Sequence, residues 1–346
     1  MTNKLLAVYN TCGIFKNPRQ SAEYISSITS LLEQDLPDVK VVMSSCLNDL
    51  ETRDSVREYF EESISYNYID EVLPVNATFN HTVYQAVKRF GEFDSYLYID
   101  SGIKLPKKNV FSNMYQTLSS GPYSLVSTLV ENDFAPRHLI DELLSSTNVK
   151  GVKKYKIGPE EAVQGFGSDD VFLEASDDVE TTGEIVIPVG KAINGHFELF
   201  SNEYYKAYGQ RLVPDIFASY CTESVYSFMC AALGTNWVID PRNMLEHLKS
   251  LDVASAGFAP HGQFPAHLKP HQHLFRSPKP IEQICEEGYP YGFGYEECNG
   301  ILIHDPEQYD DSGFCRNENL QEFLKDNMFL KKEQLDYDNI ESEFIE

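Results

Sequence analysis

Positive charge is what this sequence has least of. Its 346 residues hold 28 Lys and Arg against 53 Asp and Glu, a formal net charge of −25 at pH 7. That excess argues against nucleic acid as a partner, because phosphate neutralisation needs clustered Lys and Arg and this surface repels a polyanion. It reads as a solubilising surface, and an anionic substrate needs a local exception to it, such as a metal ion. No apolar run reaches about 18 residues, so no membrane span is expected. The opening MTNKLLAVYNTCGIF carries a short apolar run that reads as a first strand and not as a secretory signal. Cys12, Cys46, Cys221, Cys230, Cys285, Cys298 and Cys315 make no Cys-x-x-Cys pair and no zinc spacing. An odd, scattered set fits a reducing cytoplasm, so the expected location is cytoplasmic and the sequons at Asn76 and Asn80 are read as coincidence. There is no phosphate loop ending in Gly-Lys-Ser/Thr, no Gly-x-Ser-x-Gly elbow and no His-Glu-x-x-His helix. Gly292 and Gly294 follow no recognisable strand, which leaves a dinucleotide fingerprint unsupported.

What is present is a chain with a core: 42% hydrophobic and 12% aromatic residues. Strand-like runs alternate with helical periodicity. LLAVY (5–9) reads as a buried strand, and Tyr24, Ile25, Ile28, Leu31 and Leu32 recur along one helix face. VKVVM (39–43) is a second strand, and a charged helix is expected around 50–63. Val83, Ala86, Val87 and Phe90 mark a helix that leads into a strand at 95–99. YSLVSTLV (123–130) and EIVIPVG (184–190) are further strands, and a helix carrying Val225, Phe228, Met229 and Ala232 feeds NWVID (236–240). Such alternation implies an α/β fold, a mostly parallel sheet flanked by helices. Residues 155–184 read as a long acidic loop, either a solvated surface segment or a wall over a site. Beyond about 245 the pattern loosens into a less regular C-terminal extension rich in Pro and His, with an acidic, frayed tail from about 331.

In open α/β sheets ligands bind beyond the carboxyl ends of the strands. The strand at 95–99 runs into Asp100, followed by the small residues Ser101 and Gly102. A carboxylate there is an oxygen ligand for Mg2+ or Mn2+ gripping a diphosphate, or else a turn cap. Thr222 can cap a helix that has Glu223 in its first turn, where the positive end of the dipole favours an ionised carboxylate. Such a group can take a proton from an acceptor hydroxyl, or serve only helix electrostatics. Asp215 is the alternative base or an acceptor-binding group. Asn194, Gly195 and His196 stand after a strand and before a helix-like run, where a sugar could be met, or where Asn-Gly makes a turn. Four of the nine histidines (His261, His267, His271, His273) fall within HGQFPAHLKPHQH, with no zinc spacing.

FNHTVYQAVKRFGEFDSYLYIDSGIKLPKKNV resembles the central part of a GT-A glycosyltransferase of the family-2-like kind, where a helix entered at an Asn precedes a strand ending in Asp-x-Asp. RLVPDIFASYCTESVYSFMCAALGTNWVI is similar to the later helix of that family, which an acidic pair opens. The likeness spans about residues 4–245. Three positions depart from the pattern: Asp-x-Asp reads Asp100-Ser101-Gly102, the acidic pair reads Glu223-Ser224, and SSCLND (44–49) replaces the usual aspartates after the second strand.

The resemblance implies a Rossmann-like GT-A domain over 1–245, with 246–346 completing the active site. It implies inverting transfer of a sugar from a nucleotide-sugar donor to a glycan or other hydroxyl acceptor. The donor is expected at Tyr9, Asn10, Thr11, Ser44, Ser45, Asn80, Asp100 and Ser101, with Tyr9 either stacking on the base or lying in the core. Glu223 is the expected base. A divalent metal, Mn2+ or Mg2+, is expected at Asp100, with His261 first and then His267 as further ligands. Two rivals remain: a GT-A-like protein that binds a glycan or partner without catalysis, and a sugar-phosphate nucleotidyltransferase. The second usually has a glycine-rich basic loop after strand one, and NTCGIFKNPR has one glycine.

Overall fold

The computed structural model describes residues 4–12, 18–46, 50–70, 73, 75–131, 134–135, 149–156, 171–181, 184–187, 197–215, 223–248, 318–333 and 335–346. The first half alternates as its periodicity predicts: β1 (Leu5–Cys12), α1 (Pro18–Leu32), β2 (Val39–Cys46), α2 (Leu50–Phe60), β3 (Ser65–Ile69), α3 (Val75–Phe90), β4 (Ser95–Asp100). There follow β5 (Ile103–Lys104), α4 (Val110–Ser120), β6 (Tyr123–Glu131), β7 (Phe134–Ala135), β8 (Val149–Lys156), β9 (Val171–Thr181) and β10 (Ile185–Val186). The chain continues through β11 (Phe197–Ser201), α5 (Asn202–Ala207), α6 (Glu223–Ala232), β12 (Asn236–His247), α7 (Glu318–Asn327) and β13 (Ser342–Ile345).

One large sheet runs in the order β10-β12-β6-β11-β4-β1-β2-β3-β13, with β5 added to β12. β3, β2, β1 and β4 are parallel, as are β6 and β12, and β11 is wedged antiparallel between β4 and β6. Alternation along β1 shows how the two faces are covered. Leu6 and Val8 join Phe79, Val83 and Ala86 of α3 and Val225, Phe228 and Met229 of α6. Leu5, Ala7 and Tyr9 join Tyr24 and Ile28 of α1 and Phe111 and Met114 of α4. Because α3 leads into β4 and α6 into β12, each helix must run back along the sheet. Both helices therefore begin at the rim where the parallel strands end.

Three expectations are corrected. The acidic stretch after 155 is not one loop, because β9 pairs antiparallel with β8, setting Lys153 opposite Glu174 and Lys150 opposite Glu180. FELFS (197–201) is a strand, not a helix-like run, and its four buried residues stand between two other strands. The tail is not frayed. Leu330, Leu335 and Ile340 are buried against Ile69, Leu73 and Ala77, and β13 pairs antiparallel with β3. Apolar residues spaced among its acids make this possible. Of EIVIPVG, Ile185 and Val186 form β10, and residues 188–190 lie outside the described residues.

Deleting residues 328–346 removes the edge strand and uncovers the cluster around Ile69. Burial of each such side chain contributes about 1.5–3 kcal/mol. The expected outcome is a melting temperature lower by about 10 °C or more, read by calorimetry. An unchanged temperature would mean that the tail only adheres.

Candidate functional site

Asp100 ends β4 at the rim, half-buried, and the chain turns at once through Ser101 and Gly102. Gly102 has φ +90°, a conformation that costs an L side chain dearly. The turn is held from three sides. From the α3 face, the Tyr98 hydroxyl donates to Asp100 Oδ1 at 2.5 Å. From the α1 face, the Tyr9 hydroxyl accepts from the Gly102 N–H at 3.1 Å. Leu248, just past β12, donates its N–H to the Gly102 carbonyl at 2.9 Å. Tyr9 is wholly buried, its ring edge-on to Tyr24 at 6.0 Å, and burial pushes its phenol pKa up. Of the two roles open to Tyr9, the structure gives the core one: strand alternation turns the ring under α1, among Tyr24 and Ile28.

Register carries the polar rim across the sheet. Asn10 stands opposite Asp100 on one side and Ser44 on the other, and Ser44 stands opposite Asn67. The row lies beneath α3. Ser44 Oγ is 2.7 Å from Thr82 Oγ1, Asn67 Nδ2 donates to that oxygen at 2.8 Å, and Asn10 Nδ2 donates to the Val75 carbonyl at 3.4 Å. Thr11 Oγ1 donates to the Ser44 carbonyl at 2.8 Å, and Ser45 is buried beside it in β2. Asn10 Oδ1, Asn67 Oδ1 and Thr78 Oγ1 are buried without a hydrogen-bond partner among the described residues. Such acceptors call for a donor. His81 packs at the same place, with Nδ1 3.2 Å from Asn67 Nδ2, and burial pushes its pKa down to about 4.

Asn80 and Asp215 meet, but away from this row. Asn80 Oδ1 accepts from the N–H groups of Leu212 and Val213, and its Nδ2 donates to the Val213 carbonyl at 2.7 Å. Both ends of the amide expected at the donor therefore hold the chain before α6. Asp215 is fully buried. Its Oδ1 accepts from the Leu330 N–H at 2.7 Å, and its Oδ2 accepts from the Tyr337 hydroxyl at 2.5 Å, with Arg211 3.5 Å away. Burial raises the pKa of this carboxyl, while Arg211 and the donors from Tyr337, Leu330 and Asn80 pull it down. With both oxygens engaged, Asp215 is a clamp between the chain before α6 and the C-terminal tail, not a group poised over an acceptor.

Glu223 opens α6. Asn194, Gly195, His196, His261 and His267 lie outside the described residues. Among the described residues no group of three or more His, Cys, Asp or Glu side chains could hold a metal ion. The described donor set alone does not fit a divalent cation, and Asp100 is the expected ligand that it includes. No helix among the described residues is long and apolar enough to cross a membrane. The residues missed in the sequence are Tyr98, Asn67, His81 and Thr82, together with Glu198, a buried acid opposite Tyr98 in β11. The period of two in SYLYID and SYNYI was the available signal for Tyr98 and Asn67, since it sets them on one face with Asp100 and Ser44.

Two measurements test this account. In the folded state His81 stays neutral until about pH 4, against an ordinary value of 6.5, so its contribution is complete above pH 6.5 and is lost as the pH falls toward 4. About 3 kcal/mol of stability is expected to disappear across that window, and His81→Gln is expected to flatten it in urea titrations at each pH. Asp215→Ala strands the Leu330 N–H and the Arg211 charge, and a loss of about 3–5 kcal/mol is expected in the same assay.

The sequence matches no protein-family model and no curated protein. Among solved structures it is similar to the mannosyltransferase PcManGT from Pyrobaculum calidifontis in complex with GDP-Man and Mn2+. There the TM-score is 0.47 and the identity 13%, over 93% of this chain and 84% of that one. It is also similar to GalNAc-T7 with UDP, GalNAc and Mn2+, with TM-score 0.47 and 10% identity over 94% of this chain. The chain spans 55% of the length of that second structure.

Proposed function

We propose that the chain is a GT-A-type glycosyltransferase that moves a sugar from a nucleotide-diphosphate donor to a hydroxyl acceptor with inversion. Residues 1–245 hold the donor, and 246–346 complete the site. One observation carries the reading: Asp100, in its fixed turn, and the first turn of α6, which opens at Glu223, lie on the same rim of the sheet. The acceptor oxygen forms a bond to the anomeric carbon as the bond from that carbon to the diphosphate oxygen breaks. The diphosphate leaves with the electron pair, and Glu223 takes the acceptor proton. The start of α6 favours the ionised form such a base needs.

Asn10 Oδ1 is a buried acceptor on the same rim, suited to a donor group of the nucleotide. The diphosphate and Asp100 are both negative, so this reading requires a cation, Mn2+ or Mg2+. Its further ligands are proposed at His261 and His267. The histidine-rich stretch follows Leu248, which is bonded to the turn after Asp100.

The test is thermal stability with UDP, GDP, CDP and dTDP, each with and without Mn2+. At a hundredfold excess over its dissociation constant, a ligand of the folded state stabilises by about 2.7 kcal/mol. One diphosphate is expected to raise the melting temperature, dependent on both Mn2+ and Asp100. Glu223→Gln is expected to keep that shift and to lower transfer by about 10²–10⁴-fold. No shift with any diphosphate would overturn the reading in favour of a binding protein without catalysis, which the single acids at Asp100 and Glu223 would then explain.

A further inference from the structure

We propose that Tyr98 is a positioning residue for the donor site, setting the Asp100 carboxylate through its phenolic hydrogen bond. The inference rests on the reading that Asp100 meets the donor. Tyr98 stands two residues before Asp100 on the same face of β4, so its side chain reaches along the strand to the carboxylate, 2.5 Å from oxygen to oxygen. The ring is locked. It is buried and lies edge-on to Phe79 of α3, with centroids 4.9 Å apart. Asn10, the register neighbour of Asp100, donates to the Val75 carbonyl at the start of α3.

The orientation of Asp100 is thus tied to α3 through the buried ring of Tyr98 packed on Phe79. A phenol carries a proton and a carboxylate none, so in this pair Tyr98 is the donor and Asp100 the acceptor. A group that supports a ligand-binding side chain in this way typically contributes about 10–100-fold to affinity or activity.

Tyr98→Phe keeps the ring against Phe79 and removes only the donor. The measurement is the dissociation constant of UDP and of GDP with Mn2+ by calorimetry, in wild type, Tyr98→Phe, Asp100→Ala and the double variant. Tyr98→Phe is expected to weaken binding about tenfold in the wild-type background and to have no further effect once Asp100 is Ala. An unchanged constant, or the same loss in both backgrounds, would overturn the inference and leave Tyr98 as core alone. Should Tyr98→Phe not fold, Phe79→Leu, which loosens the Tyr98 ring, is read in the same two backgrounds, with an expected loss of about threefold and the same criterion. Wild type that binds neither diphosphate would remove the donor-site reading and this inference together. Binding by wild type without coupling would remove the inference only.

Discussion

The hydrogen bonds that converge on the turn Asp100–Ser101–Gly102 are the constraint on which the proposed site depends. Tyr98 reaches it from one face of the sheet, Tyr9 from the other, and Leu248 along the rim. Each of these groups belongs to a different strand or strand end, so the turn is fixed by the sheet and not by its own sequence. Gly102 permits the backbone sign the turn needs, and two buried phenols with raised pKa values keep their protons there. A carboxylate held in this way costs little reordering when a ligand arrives, which is the physical content of a preorganised site.

The C-terminal tail is bound to the same architecture by a second buried device. Asp215 ties Leu330 and Tyr337 to the chain ahead of α6, and Asn80 of α3 holds that chain from the other side. The clamp joins residues more than a hundred apart in sequence. It explains how an acidic tail can be ordered in a protein of net charge −25. The tail offers apolar side chains and two donors to a buried acid, while its own acids meet cations at the surface, as Asp338 meets Lys88 at 3.2 Å. Such exposed pairs add little. The buried contacts carry the ordering.

Much of the fold was legible in the sequence because the period of the apolar residues reports on local geometry. β1, β2, β4, β6 and β12, with α1, α3 and α6, were read from that period, and the placement of Asp100 at a strand end followed from it. The acidic stretch after 155 and the tail were misread for a common reason. Each looks polar by composition, and each becomes a strand only when a partner strand supplies the ladder, β8 for β9 and the distant β3 for β13. FELFS was misread because a run of residues buried on both faces, too short to show a period, is ambiguous between helix and strand.

At the site the division is the same. The sequence by itself determined which residue types stand at the ends of strands and at the starts of helices: Asp100, Asn10 and Ser44 on the rim, and Glu223 opening α6. These follow from local periodicity and capping, which a chain carries in any context. Only the tertiary structure decided what each side chain touches. It turned Tyr9 into the core, set Asn80 and Asp215 to clamping the chain ahead of α6, and brought Tyr98 to bear on Asp100. Hydrogen-bond partners and burial depend on which strands become neighbours, and that is settled by the packing of the whole sheet.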